Sequence, residues 1–249
     1  MAQLGESTPA TAVPLAPGGQ QGAAPAPMAQ MPGLADAELS EPSGPLAEAS
    51  DSGGGRPQKT FGVNGVVYVR LRTIGRGGSS KVYEVRAPSG ETLALKRVVS
   101  TCAATFEAHA NEVTLLQSLK GHPSVIHVHD AEVDAERRAI HIVMERGDMD
   151  LGRLLQQYDP DLSLGDMQML WRQMLEAVQA VHSERIVHSD LKPANFLFAG
   201  GRLKLIDFGM AMLWDQITPM MVQCGSLMYV SPDVLCGEGY TDKCDLWSL

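Results

Sequence analysis

The sequence predicts an α+β protein of two lobes, a small β-rich lobe carrying one helix and a larger, mainly α-helical one. Three observations carry this. Residues 66–98 hold stretches of period-two alternation around a glycine-rich corner. One helical window follows at about 104–119, and a longer stretch of 3.6-residue periodicity begins after Ser163. At 249 residues and 44% apolar content, the chain is long enough for a sizeable core divided between two lobes.

The first sixty residues are a different material. Nine of the 15 prolines lie there among Ala, Gly, Ser and Gln, and the first aromatic residue is Phe61. Such a segment cannot bury enough apolar area to offset its ordering entropy, so residues 1–60 are expected to be a disordered tail. Pro25-Ala26-Pro27 reads as linker rather than docking motif.

The formal charge of −9 and pI near 5.2 argue against a general nucleic-acid binder. No run of about 18 apolar residues offers a membrane span. The start of the sequence carries no basic-then-apolar signal, which points to an intracellular product. Cys102, Cys224, Cys236 and Cys244 lack CxxC spacing and read as ordinary reduced thiols.

In the small lobe, alternation from Phe61 onward puts Val67, Val69 and Leu71 on one face of a strand and Tyr68, Arg70 and Arg72 on the other. The corner Ile74-Gly75-Arg76-Gly77-Gly78-Ser79-Ser80-Lys81-Val82 follows. Glycine there lets backbone N–H groups approach phosphate oxygens with no Cβ in the way, although Ser80 takes the place of a third glycine. In the next strand, period two places Ala94, Lys96 and Val98 on one face. Lys96 thus follows the glycine corner at the distance needed to meet α- and β-phosphates. The helix presents Phe106, Ala110, Val113 and Leu116, with Glu112 beside them as a partner for Lys96, and ends at Gly121-His122-Pro123. His127 and His129 alternate along a strand and read as half-exposed rather than as metal ligands. The strand Ala139–Met144 then leads into Glu145-Arg146-Gly147, a polar crossing that reads as a hinge.

In the large lobe a short helix over Asp150–Gln157 should stop near Pro160. Ser163 and Asp166 form a capping-box pattern. Met167, Leu170, Trp171, Met174, Leu175, Val178 and Val181 mark a helical face expected to pack in the core. That helix delivers the chain to Ile186-Val187-His188-Ser189-Asp190-Leu191-Lys192-Pro193-Ala194-Asn195-Phe196. Here Asp190 can accept a proton from a hydroxyl nucleophile, Lys192 can neutralise a phosphoryl oxygen, and Asn195 can offer its carbonyl oxygen to a divalent metal. This division of labour suits phosphoryl transfer, in which positioning and charge neutralisation supply most of the rate. Gly200-Gly201 signals a hairpin whose second strand ends in Asp207-Phe208-Gly209, and the Asp207 carboxylate completes a two-oxygen Mg²⁺ site with Asn195.

The glycine corner, Ala94-x-Lys96, Glu112, His188-x-Asp190-x-Lys192-x-x-Asn195, Asp207-Phe208-Gly209 and Asp245-x-Trp247-Ser248 occur in an order that resembles the eukaryotic protein kinases over residues 61–249. Ile74–Val82, Met174–Val178 and Ile186–Leu197 resemble more narrowly the monopolar-spindle (TTK) kinases, dual-specificity enzymes of the spindle assembly checkpoint that act at kinetochores.

The resemblance implies a two-lobed protein-kinase-like fold, truncated at its C-terminal end because the later helices of the large lobe are missing. Residues 61–147 would be the small lobe with hinge, and 148–249 an incomplete large lobe with exposed apolar surface. ATP would lie under Ile74, Gly75, Gly77 and Gly78. Val82, Ala94 and Leu197 would sandwich adenine, Met144 would guard the back of the pocket, and backbone groups of Glu145 and Gly147 would meet the base edge. Lys96, paired to Glu112, would hold the α/β-phosphates, with Asn195 and Asp207 on Mg²⁺, Asp190 as base and Lys192 on the γ-phosphate. His188 and Phe208 would be packing residues.

Partners would be Ser/Thr-bearing protein substrates and kinetochore proteins, with no direct nucleic acid and no membrane, in the nucleus or cytoplasm and at kinetochores in mitosis. The alternative is a truncated, catalytically inactive nucleotide-binding or scaffold fragment. A small-molecule kinase is disfavoured by Ser231-Pro232-Asp233 and Asp245-x-Trp247-Ser248. Three departures from the pattern stand out: Ser189 for an Arg that usually reads a phosphorylated activation segment, Ser226 for Thr, and Asp233 for Glu. No Lys or Arg lies between Lys204 and Lys243, so a phosphate on Thr218 would find no cation within the segment. Activation is therefore expected to depend less on a phosphate–cation clamp than in most kinases.

Overall fold

A computed structural model describes residues 59–158, 162–216, 226–239 and 241–249. The expected tail (all but its last two residues), Pro160, Thr218, Cys224 and Gly225 lie outside the described residues. The small lobe is a six-stranded antiparallel sheet in the order β1-β2-β3-β4-β6-β5. Its strands are β1 (Thr60–Val63), β2 (Val66–Arg76), β3 (Ser80–Arg86), β4 (Thr92–Val99), β5 (Val128–Asp134) and β6 (Ala139–Glu145). Helix α1 (Ala103–Ser118) lies between β4 and β5 in the chain.

Strand β1 and its turn have a plain sequence signal, the dipeptide Asn64-Gly65, whose φ values of 46° and 81° suit a two-residue hairpin. The alternation in β2 is present, but the Tyr68 side faces inward. Tyr68 is buried with Val63, Tyr83, Val85, Leu93, Leu95 and Val143, whereas Val67 and Leu71 are exposed. The Arg70 guanidinium stacks over the Tyr83 ring at 4.5 Å, so the aromatic side of β2 is covered by its neighbours and the aliphatic side meets solvent.

The opposite face of β4 and β6 belongs to a larger core. Val98, Ile140 and Ile142 pack there with Val113, Leu115 and Leu116 of α1, and the cluster continues through Val178, Phe196, Leu205 and Phe208. One hydrophobic cluster thus spans both lobes. Backbone bonds reinforce the seam: Ile126 N–H donates to Leu205 O at 3.1 Å, and Leu205 N–H to Ser124 O at 2.9 Å.

The large lobe begins with β7 (Met149–Asp150) and α2 (Leu151–Tyr158), where the Asp150 carboxylate accepts from Arg153 N–H at 2.9 Å. Helix α3 (Leu164–Ser183) starts at the expected capping box: Asp166 N–H donates to Ser163 Oγ at 3.2 Å, and Ser163 N–H to Asp166 Oδ2 at 3.2 Å. The apolar stripe of α3 is only half core. Leu170, Met174, Val178 and Val181 are buried, but Met167, Trp171 and Leu175 are exposed, because this helix packs along one narrow side only. Strands β8 (Ile186–Val187), β9 (Phe196–Ala199), β10 (Arg202–Leu205) and β11 (Met212–Leu213) make two small sheets, β10-β9-β7 and β11-β8. Gly200 and Gly201, at φ 59° and 76°, form the β9–β10 turn. Helices α4 (Pro232–Leu235) and α5 (Asp242–Ser248) complete the described chain, and on α5 Leu246 and Trp247 are exposed. Asp233 is exposed and makes no ion pair among the described residues. No helix among them is long and apolar enough to cross a membrane.

Candidate active site

Sheet register assembles one wall of a cleft. Gly75 pairs with Val82, Val82 with Lys96, and Ala94 with Met144, so residues far apart in sequence stand side by side. Gly77 N–H closes the glycine turn on Ser80 O at 2.8 Å. A Cβ on Gly77 would come within 2.8 Å of Ser80 Oγ, so the serine fills the space that the second glycine leaves. Ile74 is exposed beside the turn.

At the hinge a Cβ on Gly147 would sit 2.3 Å from Leu197 Cδ2 and 2.9 Å from Phe198 O. The crossing chain therefore lies directly on β9, and only glycine fits. Glu145 N–H is committed to His127 O at 2.9 Å, which leaves its carbonyl as the backbone group it can offer to a ligand. Its side chain accepts from Lys204 Nζ at 2.6 and 2.8 Å and from His127 N–H at 2.6 Å. Sequence reasoning missed this link from hinge to β10, and it also missed Glu84, whose carboxylate holds Arg72 at 2.7 Å and hinge residue Arg146 at 2.8 Å. Opposite charges at distant positions were visible in each case, but only β2–β3 register brings Arg72 to Glu84, and only the path of residues 145–147 brings Glu145 to Lys204 and Arg146 to Glu84.

Lys96 projects from β4 toward α1 and meets Glu112 Oε1 at 2.6 Å and Asp207 Oδ1 at 2.9 Å. Burial alone would lower its pKa; the charges of Glu112 and Asp207 outweigh this and hold the ammonium above its usual value. Asp207, at φ 63°, turns the chain sharply after Ile206. Burial pushes its carboxyl up, and the Lys96 charge and hydrogen bond overcome that to leave it below the ordinary value of 3.8.

The catalytic-loop residues form a second cluster against the first. Asp190 Oδ2 accepts from Lys192 Nζ at 2.6 Å, and Oδ1 accepts from Ser226 N–H at 2.8 Å. Lys192 also donates to Ser226 Oγ at 2.9 Å. Burial raises the Asp190 pKa, but the Lys192 hydrogen bond, the Ser226 N–H and the Lys192 charge together bring it below 3.8. A tight turn over Pro193–Asn195 points the Asn195 amide back, with Nδ2 donating to Asp190 O at 2.7 Å. Ile206 N–H donates to Asn195 O at 2.9 Å, which sets Asn195 beside the Asp207 strand end. His188 and Phe208 are fully buried with rings edge to face at 5.1 Å. His127 and His129 contact each other at 4.8 Å, and no cluster of three or more His, Cys, Asp or Glu suited to a metal occurs among the described residues.

The two depressed carboxylates carry a pH prediction. A carboxylate whose folded pKa lies below its unfolded value stabilises the fold above the unfolded value and loses that contribution as pH falls through the folded one. The share of stability from Asp190 and Asp207 is expected to be present above the ordinary carboxylate value of 3.8 and lost below it, so urea midpoints should fall less steeply there in Asp207→Asn. An identical acid profile in that variant would show that Asp207 contributes nothing.

The family profile described as "Protein kinase domain" matches residues 68–249, from β2 to the end of α5. The chain belongs to the protein kinase family. Within it, this kinase domain is similar to the probable serine/threonine-protein kinase mps1 of Dictyostelium discoideum, at 39% identity over 202 residues, covering 75% of this chain and 20% of that protein. It is similar to the serine/threonine-protein kinase mph1 of Schizosaccharomyces pombe at 40% over 187 residues, covering 72% and 28%. The dual specificity protein kinase TTK of Mus musculus matches at 35% over 215 residues, covering 84% and 25%. The chain thus spans between 20% and 28% of the length of these relatives. The kinase resemblance and the α+β fold class read from sequence both hold.

Proposed function

We propose that this chain carries the catalytic site of a protein kinase that moves the γ-phosphoryl group of ATP onto Ser or Thr hydroxyls of proteins, and onto Tyr as a dual-specificity enzyme would. The observation that carries the reading is the continuous polar path Glu112–Lys96–Asp207, set beside Asp190, Lys192 and Asn195. A cleft arranged in this way has a role for each group. Lys96, held cationic and aimed by Glu112, binds α/β-phosphate oxygens under the turn of Gly75, Gly77 and Gly78. Val82, Ala94 and Leu197 hold the adenine ring, with Met144 behind it and the Glu145 carbonyl and Gly147 N–H at its edge.

The residues also fit Mg²⁺. Asn195 Nδ2 is tied to the Asp190 backbone, no hydrogen bond reaches its Oδ1 among the described residues, and Asp207 has only Oδ1 engaged, with its side chain 49% exposed. Asn195 and Asp207 would hold the ion, which supplies neutralisation of phosphate charge when bound. Asp190 orients the incoming hydroxyl and takes its proton as the oxygen–phosphorus bond forms and the bond to the ADP oxygen breaks. Its depressed pKa makes it a weak base, so its part is mainly orientation until the proton becomes acidic late in the reaction. Lys192 neutralises the transferring group.

The finer reading places the protein in spindle-checkpoint signalling, with kinetochore proteins as partners and a nuclear, cytoplasmic or kinetochore location. It rests on the likeness to Mps1- and TTK-type kinases. Residues 61–147 then act as small lobe and hinge, and 148–249 belong to the large lobe.

The test is phosphotransfer by the purified 249-residue chain from γ-labelled ATP to a generic Ser/Thr protein substrate, with and without Mg²⁺. Label on Ser or Thr that disappears when the metal is chelated is the expected result. No transfer at any Mg²⁺ concentration would leave the inactive-fragment alternative standing.

A further inference from the structure

His109 lies outside every kinase motif in the sequence, yet it joins three of them in space. It sits on α1 one turn before Glu112, and its Nδ1 meets Glu112 Oε2 at 3.0 Å. Its other nitrogen, Nε2, meets Ser79 Oγ, on the glycine turn, at 3.1 Å. The ring edge also flanks Gly209: His109 Cε1 and Glu112 Oε2 lie 3.8 and 3.9 Å from the place a Cβ would occupy there. The side chain is 15% exposed, and Glu112 only 1%.

The chemistry is complete in the neutral ring. Nδ1–H donates to the carboxylate, and Nε2 accepts the Ser79 hydroxyl proton. In the protonated ring both nitrogens donate, and Ser79 Oγ accepts instead. Either way a path runs Ser79–His109–Glu112–Lys96–Asp207, from the turn that covers phosphates to the carboxylate that would hold the metal.

We propose that His109 is a positioning residue that clamps the glycine turn to the Lys96–Glu112 pair and so sets how tightly ATP phosphates are held. This rests on the kinase reading above. A buried histidine that merely satisfied Glu112 would need only its Nδ1 contact. The Ser79 contact gives the ring a hold on a glycine-rich segment, which costs more entropy to order than any other backbone.

The variants are Ser79→Ala, His109→Phe and the double substitution. Each single change is expected to raise KM for ATP about 5- to 10-fold with kcat changed less than about threefold, the pattern for lost uniform binding. The double variant should match His109→Phe, because both remove one link. Amide hydrogen exchange over residues 76–81 should speed up about 5-fold in both single variants, with β5 and β6 unchanged.

Ser79→Ala removes one hydroxyl and keeps the test valid if His109→Phe fails to fold. Wild-type exchange across the turn in Ser79→Ala overturns the clamp whether or not the chain transfers phosphate. Faster exchange with an unchanged KM overturns its role in nucleotide binding. A wild-type chain that transfers no phosphate overturns the kinase reading separately, and the exchange data still decide the clamp.

Discussion

Asp190→Asn is expected to lower phosphotransfer about 10³-fold, the middle of the range for a positioned general base, while KM for ATP stays within about twofold. The asymmetry follows from where Asp190 sits. Its oxygens accept from Lys192 and Ser226 N–H and touch no residue assigned to adenine or to the α/β-phosphates. Asparagine is isosteric and keeps an oxygen for Ser226 N–H, while its N–H group faces the Lys192 ammonium, which can swing away, so the backbone bond of the loop is kept. What it loses is the negative charge proposed to orient a hydroxyl and take its proton, together with the ion pair to Lys192. Lys96→Met should divide its effects differently. It removes the proposed nucleotide contact and leaves the Glu112 carboxylate buried without the Lys96 cation, so KM is expected to rise, kcat to fall and thermal stability to drop together. Steady-state kinetics on both variants with a melting curve on each separates the two patterns. Asp190→Asn with kcat within tenfold of wild type would remove Asp190 from the role of base.

The residues proposed for catalysis and metal binding were legible in sequence because each is bound to a local pattern: Asp190, Lys192 and Asn195 share one loop, and Asp207 stands two residues before a glycine after a strand end. Lys96 was legible through the two-residue period that places it beside Ala94. Contacts that depend on register or on loop folding were not. Nothing near Ser79 in the sequence points to His109, since 30 residues, the β3–β4 reversal and the entry into α1 separate them. Lys204 and Glu145 are 59 residues apart, and their ion pair exists because the hinge crosses β9 with no Cβ on Gly147. The inward turn of Tyr68 had the same cause. Alternation fixes which residues share a face, but only the neighbouring strands decide which face is covered. For α3 the error was one of width, because a seven-residue apolar stripe is broader than the surface available to bury it.

The second large effect lies below the cleft. Asp245→Ala is expected to cost about 3–5 kcal/mol, as removal of one member of a buried charged network does, and to lower Tm by roughly 10 °C. Asp245 is carried on α5 and is 1% exposed. Its Oδ2 accepts from His188 N–H at 2.8 Å and lies 2.8 Å from His182 Nε2, while Oδ1 accepts from Ser189 N–H at 2.9 Å. Two successive backbone donors, of His188 and Ser189, thus depend on one carboxylate. Ser189, at φ 67°, is in a conformation that a side chain adopts reluctantly, and the N–H bond to Asp245 helps to hold it there. Alanine leaves both donors without this acceptor, each at about 1–3 kcal/mol. Asparagine should rescue little, because its amide sets an N–H group against a donor whichever way it is turned. Asp190 follows Ser189 directly, so activity should fall in the same variants even below their melting temperatures. Urea denaturation of Asp245→Ala and Asp245→Asn measures the first effect, and phosphotransfer at 15 °C below the variant midpoint measures the second. A stability loss under about 1 kcal/mol in both variants would mean that the loop finds other acceptors, and that α5 is not what fixes Asp190 in place.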